Sequence, residues 1–548
     1  MTPSPPLSQA NTSESGIGTN LDWDVLGKLN GEDQAIALSD AGRQLSYLEL
    51  KTEIRRYSDF LKRLNIRSLA LHAGNSVQWA ILDLACQQAG VLCLPLPLFF
   101  SQEQLANCLE QTSVELVLGE SPQIQPCLPK GFAPYQGLSE LGCNLYGWQL
   151  YRRQLYGRQL YDERLSDGQL CDGHPGQQST CAEKMAAFPQ VPQGTAKITF
   201  TSGSTGNPKG VCLSSEHQWR VAESLATVTA LPSPRHLCLL PLSTLLENIA
   251  GIYSPLLCGG TVLLPSDKAR GMHGSSRLDS RALLQTISQA QPSSMILIPQ
   301  LLTLLVGACE QGWQAPNSLR FVAVGGGKVA PELLLRAREL GLPVYEGYGL
   351  SECGSVVALN TPDKDTPGFA GTVLPHCKVT IRGGEIHVGG ASHLGYLGQP
   401  ETWGQGEIAT GDLGQLDKGV LTISGRRKHL LISSFGRNIS PEWVESALMA
   451  RPLLSQCMVL GDTKPWLSAL LCAPLQVSNE QLQAWLDAVN ATLPDYARIK
   501  RWIRLNETEL KPHTTANGRV KRASLLSALA AQIEQLYLSE TPYLEGTL

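Results

Sequence analysis

The chain reads as an α/β protein. It has a large N-terminal domain of stacked mixed sheets flanked by helices, and a small, mobile α+β C-terminal domain. Three observations predict this. The 548 residues, 43% of them hydrophobic, exceed what one core holds. From about residue 22, strand-length apolar runs alternate with segments of helical period. After Lys428 the texture changes to a compact tail that runs to residue 548. The expected boundaries are a disordered lead over 1–21, the large domain over 22–427 and the small domain over 428–548.

The elements follow in order. LSYLEL (45–50) leads into a helix through Leu61. SLALHAG is a strand, and the next helix spaces Val77, Ile81, Leu84 and Ala85 along one face. Val91 to Pro97 is the following strand, so strand, helix and strand predict a parallel crossover. Residues 145–164 repeat a pentapeptide: LYGWQ, LYRRQ, LYGRQ, LYDER. A five-residue step cannot hold its Leu-Tyr pairs on one face of a helix or strand. The segment over 145–193 is therefore expected to be a mobile surface loop; a partner-binding role is the alternative. Order returns with AKITF, a strand; a helix starts at Pro331; and LPVYEGYG is a short strand. Gly- and charge-rich strands fill 378–428, and a last helix over 524–540 spaces Leu525, Leu529, Ile533 and Leu536 along one stripe.

Composition excludes several functions. A net charge of −4 gives no basic field for nucleic acid. The fifteen cysteines show no C-x-x-C pair, and those in apolar runs, such as Cys86, Cys93 and Cys238, read as buried free thiols of a reducing compartment. The ten histidines form no H-E-x-x-H pattern. No run approaches the ~18–20 apolar residues of a membrane span, and the polar, proline-rich start lacks the features of a signal peptide. The expected location is cytoplasmic.

TFTSGSTGNPKG (199–210) follows the AKITF strand. A strand entering a loop of glycines, hydroxyls and one lysine can wrap polyphosphate: glycines admit the backbone, amides and hydroxyls donate, and lysine adds charge. The loop is not that of a P-loop NTPase. Pro208 stands where that motif needs glycine, and no Ser or Thr follows Lys209.

The loop closely resembles the signature of the adenylate-forming (AMP-binding) superfamily. Further segments match its motifs in order: YEGYGLSE (345–352), TGD (410–412), GRRKHLLISSFGRNISPEWVE (425–445) and TANGRVKR (515–522). The resemblance spans about residues 40–530 and is nearest in type to long-chain fatty acyl-CoA synthetases. It implies a ligase that activates a carboxylic acid with ATP as an acyl adenylate, then transfers the acyl group to a thiol. By resemblance, Thr201, Ser202, Ser204, Thr205 and Lys209 hold the β- and γ-phosphates, with Gly203 and Gly206 admitting the backbone. Tyr348, beside Gly349, stacks on adenine. Ser351 contacts the α-phosphate, Glu352 with Thr205 ligates Mg²⁺, and Gly325, Gly326 and Gly327 line the adenine and acyl pocket. Asp412 accepts the ribose hydroxyls, Arg426 reaches ribose and phosphate, Lys428 is the hinge, and Gly436 admits the phosphopantetheine arm.

One motif departs from the pattern. The family's last loop carries a lysine where this chain has Arg519. Residues 519 and 521 of an extended segment point the same way, so Arg519 or Lys521 takes the catalytic role. PLSTLLENIAG (241–251) has no aspartate to pair with a substrate ammonium, which disfavours amino acids and favours a medium- or long-chain fatty acid. Thr244 stands where relatives tend to carry histidine, and Glu247 is either functional or a structural hydrogen-bonder. Coenzyme A is the expected acceptor. An acyl carrier protein, or a non-catalytic nucleotide-binding role, is the alternative.

Overall fold

The computed structural model describes residues 23–120, 122–135, 149–153, 190–201, 208–273, 277–433, 437–515, 519–538 and 543–545. The 1–21 lead, most of the 145–193 segment, residues 202–207 and Gly436 lie outside them.

Two sheets build the large domain. In the first, five parallel strands form the middle: Thr261–Leu263, Arg235–Leu237, Ser294–Leu297, Phe321–Val324 and Val344–Tyr348. Antiparallel strands extend that sheet through Glu407–Asp417 and Val420–Arg426. The second sheet pairs Ser68–His72 in parallel with Leu92–Pro95, as the strand–helix–strand reading predicts, and continues through the antiparallel hairpin Lys197–Thr201 and Lys209–Leu213 to the edge strand Gly395–Tyr396.

Local chemistry sets the helices. Tyr47–Arg63 begins at a reciprocal cap, in which the Ser46 hydroxyl accepts from Glu49 N–H and the Glu49 carboxylate accepts from Ser46 N–H. Val77–Ala89 is capped by the Ser76 hydroxyl and stops at Gly90, whose φ of 69° is left-handed. One core joins the sheets: Leu69, Leu71 and Val211 of the second, and Leu38, Val262 and Phe321 of the first, pack with these helices.

Five residues of the pentapeptide segment depart from the expected loop. Gln149–Arg153, inside the repeat, forms a strand antiparallel to Leu116–Gly119 and to Phe132–Pro134. Leu150 and Tyr151 are both buried, in different core clusters. The period of two sends the Leu-Tyr pair to opposite faces, and this sheet is covered on both.

Among the described residues the main sheet of the C-terminal domain has four strands: Gln456–Leu460, Leu467–Cys472, Ile499–Leu505 and Tyr543–Glu545. Leu467, Ala469 and Leu471 face Pro441–Leu448 and Asn479–Thr492; Leu470 and Cys472 face the last helices. The helix expected over 524–540 is two, Arg522–Ala528 and Ala530–Leu538. Neither glycine nor proline marks the joint. The stripe still docks on its own domain, with Leu525, Leu529 and Leu536 buried.

A buried polar network anchors the strand Lys197–Thr201. Lys197 and Asp83 are both 0% exposed, with Nζ 2.7 Å from Asp83 Oδ1. Lys197 also donates to the Asn248 amide oxygen and, at 2.8 Å, to the Tyr253 hydroxyl. Asn248 and Tyr253 in turn donate to Asp83 Oδ2 at 2.9 and 2.5 Å. Removing one partner of such a pair strands the other charge. Lys197→Ala is expected to lower unfolding stability by about 3–5 kcal/mol in chemical denaturation; a loss below ~1 kcal/mol contradicts the anchor.

Candidate active site

The carboxyl ends of Ser294–Leu297, Phe321–Val324 and Val344–Tyr348 open on one cavity. The 197–213 hairpin, the 407–426 hairpin and the C-terminal domain complete its walls. Thr201 and Lys209 face each other across the hairpin and both line the cavity. Ser202, Gly203, Ser204, Thr205 and Gly206 fall between them in sequence, outside the described residues.

Lys209 Nζ stands 5.4 Å from the centre of the Tyr396 ring, a cation–π contact. The Tyr396 hydroxyl donates to Glu352 Oε1 at 2.9 Å. One aromatic ring thus bridges the cation assigned to phosphate and the carboxylate assigned to metal. His393 adds a backbone bond, its N–H donating to the Glu352 carbonyl at 2.6 Å, and its ring meets Tyr396 edge-on at 4.8 Å. Burial, and then the Glu352 charge, push the Tyr396 phenol well above its ordinary range. The tyrosine therefore stays a neutral donor. Glu352 keeps its second oxygen without a hydrogen bond among the described residues. A hard carboxylate oxygen of this kind fits Mg²⁺.

Tyr348 ends its strand, and Ser351 and Glu352 form a short turn beyond it. Between them Gly349 permits a close crossing: a Cβ there would stand 1.9 Å from the Ser355 carbonyl oxygen. The Tyr348 hydroxyl donates to Asp412 Oδ2 at 2.7 Å, and Arg426 Nε donates to Asp412 Oδ1 at 2.6 Å. Asp412 and Arg426 are register partners on adjacent antiparallel strands, so the sheet itself sets this pair. Asp412 is 6% exposed; Arg426, with its side chain 52% exposed, reaches the cavity. Burial, then the Asp412 charge, raise the Tyr348 phenol. Burial works against the Arg426 guanidinium, yet its hydrogen bond and attraction to Asp412 outweigh that and raise it.

The C-terminal domain supplies the last cations. Arg519 Nη2 donates to the Gly326 carbonyl at 2.6 Å, and a Cβ on Gly326 (φ +80°) would come within 3.7 Å of the same nitrogen. Burial, then the charge of Arg426, lower the Arg519 guanidinium. Arg519 and Lys521 both line the cavity, whereas Val520 bridges Thr514 and packs on the domain's own core. The alternation read from sequence is present. Gly325, Gly327, Ser351 and the exposed Lys428 line the same cavity; Gly436 lies outside the described residues.

Sequence reasoning misses Tyr396, because GYLG carries no motif signal. Glu247 makes the hydrogen bonds that one of its two readings expects. Fully buried, it accepts from Leu240 N–H at 3.0 Å and pairs with His236 Nε2 at 3.1 Å.

Residues 28–397 match the model of the AMP-binding enzyme family, and residues 428–541 match that of the AMP-binding enzyme C-terminal domain. The chain is similar to a 2-succinylbenzoate–CoA ligase of Bacillus velezensis, 32% identical over 53% of this chain and 61% of the relative. The match thus spans under two thirds of that relative's length. It is also similar to a long-chain-fatty-acid–CoA ligase of Mycobacterium bovis, 25% identical over 87% of this chain and 90% of the relative. In fold it resembles an anthranilate CoA ligase solved with anthranoyl-AMP, with TM-score 0.72 and 19% identity over 93% of this chain and 97% of that one. The O-succinylbenzoate coenzyme A synthetase of Bacillus subtilis, solved with ATP and magnesium ion, superimposes with TM-score 0.66 and 23% identity over 91% and 98%.

Asp412→Asn keeps the shape but removes the charge that holds Arg426. Its Kd for ATP is expected to rise at least about tenfold, ~1.4 kcal/mol, in equilibrium titration. An unchanged Kd contradicts a nucleotide role for this carboxylate.

Proposed function

Because the chain belongs to the AMP-binding enzyme family, we propose that it joins a carboxylic acid to a thiol through an acyl adenylate, using ATP. The observation that carries this is convergence. Thr201, Lys209, Tyr348 and Arg426 come from four strands, Glu352 from a turn and Arg519 from the C-terminal domain, yet they line one cavity.

In the first step a carboxylate oxygen attacks the α-phosphorus, the bond to the bridging oxygen breaks, and pyrophosphate leaves. In the second a thiol attacks the acyl carbonyl and AMP leaves. Negative charge builds at phosphorus in the first step, so catalysis is positioning and electrostatics. Lys209 faces the phosphate tail, Arg426 the ribose and α-phosphate, and Arg519 the oxygens exchanged at phosphorus. Glu352 with Thr205 would hold Mg²⁺, which supplies charge neutralisation of the leaving group. Tyr348 offers its ring to adenine while its hydroxyl keeps Asp412 oriented toward the ribose.

We read the acid as a fatty acid. From Gly325 the cavity wall continues back along its strand through Ala323 to Phe321, and Leu246, Ala250 and Leu231 also line it. Such a lining suits an apolar chain. Coenzyme A is the proposed acceptor. An aromatic acid is the second reading, supported by relatives named for 2-succinylbenzoate and anthranilate. An acyl carrier protein as acceptor remains the alternative to coenzyme A.

Pyrophosphate release with a panel of fatty and aromatic acids tests the assignment. Arg519→Ala is expected to lose well over tenfold in rate, and Lys521→Ala less. If neither loses more than about tenfold, ~1.4 kcal/mol, the two cations have been misassigned.

A further inference from the structure

Deep in the acid-binding part of the cavity lies a polar relay that the adenylation chemistry does not use. Glu247, His236 and Ser294 are 0, 3 and 5% exposed. Glu247 Oε1 is 3.1 Å from His236 Nε2, and His236 Nδ1 is 3.0 Å from Ser294 Oγ. His236 and Ser294 are register partners on adjacent parallel strands, and Phe321 is the next partner across. His236, Ser294 and Phe321 line the cavity, and Glu247 stands behind His236.

The direction of the relay follows from Glu247. An ionised carboxylate only accepts, and its second oxygen already takes the Leu240 N–H. In the neutral imidazole that donates to this carboxylate, the proton sits on Nε2. Nδ1 is left as an acceptor, and the Ser294 hydroxyl donates to it. Ser294 Oγ then has its proton committed and its lone pairs free. Such an oxygen at an apolar wall is a ready acceptor for a hydroxyl.

Its depth is fixed by the sheet. Gly325 N–H bonds to the Leu297 carbonyl at 3.1 Å, so the glycine strip is level with Leu297. Ser294 lies three residues earlier on that strand, about 10 Å back along it. Resting on the fatty-acid reading above, we propose that the acid accepted here carries a hydroxyl on its chain roughly 10 Å from the carboxylate, and that Ser294, oriented by His236 and Glu247, recognises it. An apolar pocket discriminates weakly against an added hydroxyl, whereas a site with a fixed acceptor selects for one.

The test is ATP–pyrophosphate exchange with pairs of acids of equal length, one plain and one hydroxylated along the chain, in the intact enzyme and in Ser294→Ala. The ratio of kcat/KM for hydroxylated over plain acid is taken within each preparation, so loss of folded enzyme cancels. The expected result is a ratio of at least tenfold for some hydroxyl position in the wild type, falling to near one in Ser294→Ala. Exchange with plain acids but no preference at any position overturns this inference and leaves the adenylation reading standing. A preference that survives Ser294→Ala overturns the role of the relay. Exchange with no acid of any class overturns both.

Discussion

The site depends on one carboxylate. Asp412 is almost wholly buried, and each of its oxygens is held by a different element: Tyr348 from the central parallel strands, and Arg426 from the antiparallel neighbour. A buried charge is costly unless paired and hydrogen-bonded. The pairing here therefore holds the strand that ends at Tyr348 against the hairpin that ends at Arg426. The phenol stays a donor because burial and the carboxylate raise its pKa together. What results is a rigid edge beside an open cavity, which a nucleotide needs for its base and sugar.

Around that edge the cations are held in three ways. Lys209 rests on an aromatic ring, Arg426 on a carboxylate and Arg519 on a peptide carbonyl. Of these three partners only Asp412 carries a formal charge. Arg519 also carries the contact between domains: its guanidinium bonds to Gly326 while its backbone bonds to Thr515 in its own loop. The pose captured is one in which the C-terminal loop closes on the glycine strip. Lys428, exposed, lies at the boundary between the two domains. Lys197 acts at the opposite side, tying the strand that delivers Thr201 to two helices of the core.

Much of this was legible in the sequence. Helical spacing and caps locate Tyr47–Arg63 and Val77–Ala89, and the alternation of strand and helix identifies the parallel crossover. The motifs bring Thr201, Lys209, Tyr348, Glu352, Asp412, Arg426 and Arg519 together, and the extended reading of 519–521 matches the structure. What stayed hidden needed tertiary context. A five-residue repeat looks unable to pack until both faces of a sheet are available to it, as Leu150 and Tyr151 show. Tyr396 is an unmarked aromatic until folding brings it beneath Lys209 and against Glu352. Glu247 could not be assigned until His236 and the Leu240 amide surrounded it. Long-range partners of this kind leave no local period or spacing to read.

The most direct measurement is a crystal structure with a non-hydrolysable ATP analogue. The account predicts the triphosphate between Thr201 and Lys209, the ribose on Asp412 and the base against Tyr348. An analogue bound elsewhere, with those residues unoccupied, would contradict it.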